Sequence, residues 1–316
     1  MVQTVKTEAT RSALGPTLVR LAQEGLDIVC VDADLGYSTS AVKFGQAYPE
    51  RFFPVGVAEQ NMVGVAAGLA AAGKIAFCSS FAVFAPGHCF DQLRMAVAQP
   101  GTNVKLVASH GGVVTGEDGA SAEALEDLGL LLSMPPFRVL YPADYIEAGQ
   151  AIEAAARTEG PFYIRTLRPK TAVIYDDSYR FELGRWDVLR TGSDVTLIAC
   201  GELVKATLDA AETLAGEGIQ ARVLNAASLR PMDKDAVIAG AVETGAIVTA
   251  EDHFVLSGLG SLVATTLANE RPVPIEYVGM QDRYGTSGTW EQLLEYFHLT
   301  PQAIAEAARK AIGRKA

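Results

Sequence analysis

Short apolar runs alternate with longer segments of helical periodicity along most of this 316-residue chain. Such alternation predicts parallel sheets flanked by helices, because each parallel strand needs a crossover to return to the same edge. The alternation breaks at residues 171–190, where polar and aromatic residues follow one another without a clear period. The length also favours two domains over one. We therefore predict an α/β protein of two successive, mostly parallel domains at 1–172 and 191–316, joined by a linker at 173–190.

The individual elements are predicted from the length and composition of each segment. Short apolar runs indicate buried strands, and longer periodic segments indicate helices. The predicted strands are 27–31, 75–78, 104–109, 162–166, 195–200, 221–224, 246–250 and 275–278. The predicted helices are 11–25, 60–72, 89–98, 203–215 and 234–242, with another after Gly260 and two at the end.

The charge balance limits the classes of partner. The chain has 26 Lys and Arg against 37 Asp and Glu, which gives a formal net charge of −11. A nucleic-acid binder needs a basic surface to displace counterions, so no nucleic-acid partner is expected. A small phosphorylated substrate is compatible with this charge, because a few local Arg and His side chains suffice to bind it.

The cysteines and the apolar segments indicate the cellular compartment. Cys30, Cys78, Cys89 and Cys200 show no CxxC spacing and lie in apolar stretches, which predicts buried free thiols in a reducing cytoplasm. The start, MVQTVKTEATRSALG, has no apolar signal core. No run approaches the ~20 apolar residues that a spanning helix needs. We expect a soluble, cytoplasmic protein with no membrane partner.

One acidic residue stands in an apolar neighbourhood. In VGVAEQNMVGVAAGLAAAG, residues 55–73, Glu59 is the only charged residue. Burial disfavours the charged form of a carboxyl, so Glu59 could keep its proton and donate a hydrogen bond. An alternative is that Glu59 only caps the following helix, where the helix dipole favours it. That helix is expected to pack closely through its small residues, which are Gly64, Ala66, Ala67, Gly68 and Ala70.

Several motifs, in a fixed order, resemble the transketolase family. GVAEQNMVGVAAGLA is followed by FCSSFAVFAPGHCFDQLRMA, SHGGVVTGEDGAS, ALEDLGLL and YIRTLRPKTAVIY, and then by AEDHFVLSGLG and DRYGTSGTWEQLL. They span nearly the whole chain and resemble the pyrimidine-binding and carboxy-terminal domains of that family, as in one subunit of a two-chain transketolase. The resemblance implies transfer of a two-carbon ketol unit from a ketose phosphate to an aldose or aldose phosphate.

The resemblance also implies a cofactor, thiamine diphosphate. In this family the residue equivalent to Glu59 hydrogen-bonds N1′ of the cofactor's aminopyrimidine and favours its imino tautomer. Phe81 and Phe84, in SSFAVF, match aromatic contacts with that ring, although Phe84 equally suits core packing. Asp34 matches a position near the cofactor, but an Asx-type turn after a strand explains it as well.

Substrate recognition is implied at a set of separated residues. Arg and His are good donors to phosphate oxygens, and a guanidinium can bind them bidentately. Arg165 is an alternative to Arg168 in this role. Asp118, in GEDG, matches a residue that reads a donor hydroxyl, although Asp before Gly is also a turn signal. We count His110 with Glu59 as a candidate catalytic residue. The residues that match phosphate-binding positions are Arg11, Ser38, His110 and Arg168.

One motif departs from the family pattern. After GEDG the family usually has Pro, then Ser or Thr, then a His or Gln that faces the substrate. Here these positions are Ala120, Ser121 and Ala122, and the methyl group of Ala122 cannot hydrogen-bond a sugar hydroxyl. The resemblance therefore leaves the exact sugar open. His88 and His253 match no chemical role, and we expect them to be structural.

The cofactor site looks incomplete in this sequence. Full-length relatives hold the diphosphate and metal with a GDG motif and a downstream Asn, and this chain has no GDG. We assign no metal ligand, because no cluster suited to Mg²⁺ is evident. The hypothesis is that an amino-terminal transketolase subunit binds the diphosphate and Mg²⁺ or Ca²⁺ and shares the cofactor in an α₂β₂ assembly. The second domain is expected to support oligomer contacts and to supply no catalytic residue.

Three alternatives remain at this point. The β-subunit of a 2-oxo acid dehydrogenase has a similar glutamate motif, but it would decarboxylate a 2-oxo acid and depend on a lipoyl partner. A 1-deoxyxylulose-phosphate synthase-like enzyme is normally one longer chain with its own GDG motif. A non-catalytic scaffold subunit would keep the fold and lose the chemistry. It is opposed by Glu59, Phe81, His110 and Asp118, and Ala122 is its best support.

Overall fold

The computed structural model of the chain describes residues 6–315. Its first half contains eight strands and eight α-helices, most of them short. The strands are β1 (Thr7–Glu8), β2 (Ile28–Asp32), β3 (Phe52–Pro54), β4 (Ile75–Phe81), β5 (Val104–Ser109), β6 (Arg138–Leu140), β7 (Phe162–Arg165) and β8 (Thr171–Ala172). The helices are α1 (Leu14–Gln23), α2 (Gly36–Thr39), α3 (Val42–Ala47), α4 (Glu59–Ala71), α5 (Ala85–His88), α6 (Phe90–Gln92), α7 (Asp127–Leu132) and α8 (Tyr145–Arg157).

The second half continues the alternation of strands and helices. Its strands are β9 (Asp187–Arg190), β10 (Val195–Ala199), β11 (Ala221–Asn225), β12 (Ser228–Arg230), β13 (Ile247–Phe254) and β14 (Ile275–Met280). Its helices are α9 (Leu203–Gly216), α10 (Lys234–Thr244), α11 (Leu259–Glu270), α12 (Trp290–Tyr296) and α13 (Pro301–Gly313). In the described part of the chain, no helix has the length and apolarity needed to cross a bilayer.

The strands form two main sheets. The first has seven strands in the order β12-β6-β7-β5-β4-β2-β3, and the second has five in the order β14-β13-β10-β11-β9. Only β12 in the first sheet and β9 in the second run antiparallel to their neighbours. The prediction of an α/β protein with mostly parallel sheets flanked by helices is confirmed.

The two halves are tied together by shared structure. Strand β12 follows the second domain's strand β11 but joins the edge of the first sheet beside β6. The predicted linker, 173–190, contains strand β9, which pairs with β11 in the second sheet. Within it, the Tyr179 hydroxyl donates to Glu147 at 2.7 Å. This segment therefore contacts both domains, and the domain boundaries themselves stay predictions.

Helix α4 buries one face and exposes the other. Ala66, Ala67 and Ala70 are buried in the hydrophobic core against the first sheet, as the small-residue pattern predicted. Gly64 and Gly68 are different, because a Cβ added at either would have open space around it. The expectation that these two glycines allow close packing is therefore wrong within this chain. They leave a smooth exposed face on the helix that begins with Glu59.

The order of the first sheet determines where polar residues meet. In parallel sheets the carboxyl ends of all strands share one edge, and ligands bind at that edge. Strands β4 and β5 are neighbours, with Phe81 opposite Ser109 at their carboxyl ends. The loops after β2, β4, β5 and β7 carry most of the residues that the sequence singled out. We refer to this region as the carboxyl edge.

Candidate active site

A column of aromatic rings lies at the carboxyl edge. His110, directly after β5, stacks on Phe81 with ring centroids 3.6 Å apart and an interplanar angle of 20°. Phe81 continues to Phe84 at 5.7 Å and 11°, and Phe84 to His88 at 5.6 Å and 21°. Two predicted cofactor contacts, Phe81 and Phe84, thus lie beside a predicted substrate contact, His110. Flat, partly buried rings of this kind suit stacking against a heteroaromatic ligand.

His110 has a left-handed backbone conformation, and two local hydrogen bonds hold it there. Its φ is +62°, a left-handed value that is uncommon for a side-chain-bearing residue. Its Nδ1 is 2.7 Å from the Ser109 hydroxyl, and its carbonyl accepts a hydrogen bond from the Thr115 hydroxyl at 2.9 Å. Because Nδ1 is engaged, Nε2 is the ring nitrogen left for a ligand.

The imidazole of His110 is neutral at physiological pH. Burial lowers its pKa to about 3, and the positive charges of Arg11 and Arg168 lower it further. A neutral ring can donate one hydrogen bond and accept another, and it does not attract phosphate by charge. Charge-based recognition at this edge therefore falls to the two arginines.

Arg11 and Arg168 approach the same place from opposite ends of the first domain. Arg11 donates to the backbone carbonyl of Ser38 at 2.7 Å. Arg168 donates to the carbonyl of Thr115 at 3.0 Å and to Glu117 at 2.6 Å. Burial lowers the pKa of Arg11, the charge of Arg168 lowers it again, and the charge of Asp118 raises it. Arg11, Arg168 and Asp118 therefore form one electrostatic group.

The structure separates the two arginine candidates on the strand-end segment RTLR. Arg165 is completely buried, and its Nε lies 3.5 Å from a carboxylate oxygen of Asp127. Its guanidinium also sits over the Tyr141 ring, 4.6 Å from the centroid. Arg168 retains 36% side-chain exposure. Of the two, only Arg168 is accessible to a phosphate, so the alternative role for Arg165 is wrong.

Glu59 is buried without a partner of its own. It is the first residue of α4, is 8% exposed, and accepts no hydrogen bond from the residues that the structure describes. Its carboxyl therefore makes no capping hydrogen bond to the amides of α4, contrary to the alternative interpretation. Burial raises the pKa of the Cys89 thiol to about 12, and the nearby Glu59 contributes. Gln60 donates to the carbonyl of His88 at 2.9 Å, which ties the start of α4 to the aromatic column.

The loop after β2 brings two further candidates to this edge. Asp34 is exposed and has a left-handed φ of +69°, as in the turn that the sequence offered as its alternative explanation. Ser38 lies in α2 and touches Arg11 through its backbone carbonyl. Asp32 was not predicted; burial raises its pKa to about 6, and the backbone amides of Gly36, Asp34 and Leu35 oppose that rise.

The residues present suit one end of a thiamine diphosphate and not the other. An unpartnered buried carboxyl and a stacked aromatic surface are the groups that an aminopyrimidine needs. A diphosphate–metal end needs a cluster of oxygen ligands. Within residues 6–315 no group of three or more His, Cys, Asp or Glu side chains is arranged to hold a metal ion.

Family comparisons agree with this geometry. Residues 6–173 match the family described as transketolase, pyrimidine binding domain, and residues 184–304 match transketolase, C-terminal domain. The chain belongs to the transketolase family. It is 42% identical to a 6-deoxy-6-sulfo-D-fructose transketolase subunit, SqwH, from a Clostridium species, over 94% of this chain and 92% of the relative.

Two further comparisons show how the chain relates to longer transketolases. It is 38% identical to human transketolase over 96% of its own length, but it spans only 49% of the human protein. A solved structure described as a split gene transketolase, inactive β4 tetramer, is 44% identical, with a TM-score of 0.90. That match covers 98% of this chain and 100% of the other. The chain is therefore a transketolase-family subunit comparable with half of the longer enzymes.

Three residues outside the matched site positions are buried. Ala122, the departure from the family pattern, is buried, and the next residue, Glu123, is buried with no hydrogen bond from any described residue. Burial raises the pKa of Glu123 to about 8, and the charge of Asp252 adds to that rise. His253 is buried beside Asp127 and Glu251, and burial lowers its pKa to about 3, in keeping with its predicted structural role.

Proposed function

We propose that this chain is the catalytic carboxy-terminal subunit of a two-chain transketolase. It would transfer a two-carbon ketol unit from a ketose phosphate to an aldose or aldose phosphate. The observation that carries the proposal is the carboxyl edge, where Glu59, 8% exposed and at the start of α4, is tied by its neighbour Gln60 to the ring column that ends at His110 beside Arg11 and Arg168. When bound, thiamine diphosphate supplies the nucleophilic carbon and the electron sink.

The residues of this chain have distinct proposed roles. Glu59 exchanges a proton or hydrogen bond with the pyrimidine nitrogen of the cofactor, and Phe81 and Phe84 hold that ring by stacking. Nε2 of neutral His110 hydrogen-bonds the reacting sugar. Asp118 reads a donor hydroxyl. Asp34 lies beside the cofactor.

Phosphate binding is the proposed role of the arginine pair. Arg11 and Arg168 neutralise the sugar phosphate, and Ser38 lies beside them. Sulfonate and phosphate are both tetrahedral oxyanions that a guanidinium can bind bidentately. The Clostridium relative is named for a sulfonated fructose, so both classes of donor belong in the assay. The methyl group of buried Ala122 cannot hydrogen-bond a sugar hydroxyl. The assay should therefore compare donors of different chain length.

We further propose that an amino-terminal subunit binds the diphosphate and a Mg²⁺ or Ca²⁺ ion, in an α₂β₂ assembly. Two large apolar side chains next to site residues support this, because Val57 is 79% exposed and Tyr37 is 85% exposed. Together with the smooth face at Gly64 and Gly68, they leave the surroundings of Glu59 uncovered. Without its partner, this chain would associate with itself, as the inactive β4 tetramer of the split-gene relative does.

A reconstitution assay tests the proposal. The chain is incubated with thiamine diphosphate, Mg²⁺, ribose 5-phosphate as acceptor and either xylulose 5-phosphate or a sulfonated ketose as donor, with and without the amino-terminal subunit. We expect two-carbon transfer only when both chains are present. Light scattering should show this chain changing from a homo-oligomer to a hetero-tetramer. Transfer by this chain alone would refute the missing half, and no transfer from phosphate or sulfonate donors by a verified complex would refute the function.

Glu59→Gln gives the assay its internal control. Glutamine keeps the shape and can hydrogen-bond, but it cannot pass a proton to the pyrimidine. We expect kcat to fall about 10²- to 10⁴-fold, the usual contribution of a positioned acid or base. Glu50→Gln, at an exposed carboxyl outside the site, should leave kcat unchanged. A fully active Glu59→Gln complex would favour a scaffold role for this position.

The alternative enzyme class is less well supported. A 2-oxo acid dehydrogenase β-subunit would require a lipoyl partner, and the relatives described above are transketolases. The paired arginines also suit a phosphosugar better than a small oxo acid. The four cysteines are all buried free thiols, which supports the cytoplasmic location predicted from the sequence.

A further inference from the structure

The second domain reaches the substrate loop through one carboxylate. Asp252, near the end of β13, is completely buried. One of its oxygens accepts a hydrogen bond from the backbone amide of Val113 at 3.0 Å, and the other accepts from Val114 at 3.2 Å. These contacts join residues 138 or more positions apart in the chain. They are the direct link between β13 and the segment that follows His110.

The anchored segment carries two of the proposed substrate contacts. Residues 110–118 begin with His110 and end with Asp118, and within Val113–Asp118 two short 3₁₀ turns are separated by a kink at Gly116, whose φ is +84°. Inside the loop, the Thr115 hydroxyl bonds back to the carbonyl of His110. Arg168 bonds the carbonyl of Thr115 from outside. A displacement of the Val113 and Val114 amides would therefore move both ends of the substrate loop.

The loop lies on the Asp252 carboxylate with no space between them. A Cβ at Gly112, where φ is +79°, would come within 1.8 Å of an Asp252 oxygen. A Cβ at Gly111 would come within 1.9 Å of Nε of Arg165. Arg165 in turn donates to the carbonyl of Ala124 at 2.9 Å and supplies the positive charge beside Asp252. Only glycines allow the loop to lie this close to the pair.

We propose that Asp252 is a positioning residue of the active site, through which the second domain fixes the loop that presents His110 and Asp118. The inference rests on the proposed function for its catalytic consequence, and on backbone hydrogen bonds for its structural part. It gives the second domain a role in substrate geometry, beyond the oligomer contacts expected of it. Asp252 itself does not touch the substrate.

Asp252→Asn is the first test. The amide group would place an N–H donor opposite a backbone N–H, which removes one anchor and keeps the volume. We expect the amides of 111–118 to exchange with deuterium about 10-fold faster, and KM for the phosphosugar donor to rise about 10-fold, as the loss of one buried hydrogen bond predicts. The Kd for thiamine diphosphate in the complex should change by less than about 2-fold, because Glu59, Phe81 and Phe84 lie outside residues 110–118 and touch them only where His110 stacks on Phe81.

Glu251→Gln is the matched control. Glu251 is the neighbouring buried carboxyl on β13, and it also accepts two backbone amides, those of Leu259 and Gly260, both at 2.7 Å. Those amides belong to α11 and not to the substrate loop. We expect Glu251→Gln to change exchange at α11 and to leave both loop exchange and donor KM unchanged. Equal effects of the two variants on the loop would overturn the proposal, since they would reflect general loosening of the domain.

Val113→Pro tests the same contact from the loop side and serves even if Asp252→Asn does not fold. Val113 is the first residue of a 3₁₀ turn, where the backbone tolerates proline, but the ring Cδ replaces the amide hydrogen and pushes against the Asp252 carboxylate. In the reconstituted enzyme, Val113→Pro should raise donor KM relative to Val113→Ala. Combined with Asp252→Asn, the effects should not add. Unchanged deuterium exchange and donor KM in Val113→Pro would also overturn the proposal. If the variants speed exchange in the loop but the wild-type complex has no transferase activity, only the proposed function is refuted.

Discussion

Two arginines three residues apart, at the end of β7, differ in burial and therefore in the role that each can have. Arg165, the last residue of β7, is completely buried between Asp127 and the Tyr141 ring. Arg168 lies beyond it at the carboxyl edge and keeps about a third of its side chain exposed. The sequence presents both as equivalent cations. Their surroundings make one a structural counter-charge and the other a group with donors free for a ligand.

The same contrast holds for the regions around them. Around Arg165, several carboxyls from both domains are buried together, and burial raises the pKa of Glu202 to about 8 and of Glu251 to about 7. At the carboxyl edge, the charged groups are Arg11, Arg168 and Asp118. The buried cluster depends on Arg165, the cation that acts on Glu202, Glu251 and Asp252 among the described residues. An edge is sensitive to the loss of a ligand contact.

Arg165→Met should cause the largest loss of stability. Methionine keeps much of the stem but leaves Asp127 and Asp252 buried without a counter-charge. Breaking a buried pair from one side typically costs about 3–5 kcal/mol. We expect the free energy of unfolding of the isolated chain to fall by this amount, which lowers the midpoint of its urea denaturation curve at fixed protein concentration. The control is Arg309→Met, which removes an exposed pair with Glu217 and should barely move the midpoint. Equal midpoints for the two variants would contradict the comparison.

Arg168→Met should affect binding more than stability. Losing one guanidinium contact with phosphate is expected to raise donor KM about 10- to 100-fold, equivalent to one or two charge-assisted hydrogen bonds. The KM for the same sugar without its phosphate should rise less, because that sugar loses only the support that Arg168 gives to the carbonyl of Thr115 in the substrate loop. The urea midpoint should stay near wild type. An equal rise in KM for both sugars would place Arg168 outside phosphate recognition.

The sequence predicted the central strands and the position of Glu59, and it missed contacts that depend on the assembled domains. Strand β5 and helix α9 follow their apolar periods closely. Helix α8 was missed, although Asp144 caps it by accepting a hydrogen bond from Glu147, which is a local signal. Short strands such as β6 and β12 are too brief for a period to show.

The candidate site divides in the same way. Local sequence singled out the carboxyl of Glu59, and family resemblance supplied Arg11, His110, Asp118 and Arg168, whose roles stay predictions. The structure brings the last four together at one edge. No local pattern predicts that Asp252 would hold the amides of a loop from the other domain, because that contact exists only after the two sheets pack.

Glu202→Gln sharpens the comparison through pH, and at about pH 5 it should have the smallest effect of the three variants. Burial raises the pKa of Glu202 from its ordinary 4.5 to about 8, and the charge of Asp252 adds to the rise. The folded chain then keeps a proton that the unfolded chain releases, so this group's contribution to stability is full below about pH 4.5 and is lost as pH rises towards 8. Glutamine is neutral throughout and can still accept the Tyr141 hydroxyl.

The stability of Glu202→Gln relative to wild type should therefore rise with pH. The slope should reach at most about 1.4 kcal/mol per pH unit between pH 5.5 and 8. Urea unfolding at several pH values measures it, with Glu212→Gln, at an exposed carboxyl paired with Arg190, as the control. If Glu202 were instead ionised and held by Arg165, Gln would destabilise the chain equally at every pH. That result would mean that the single positive charge of Arg165 stabilises three buried carboxylates, those of Glu202, Asp127 and Asp252.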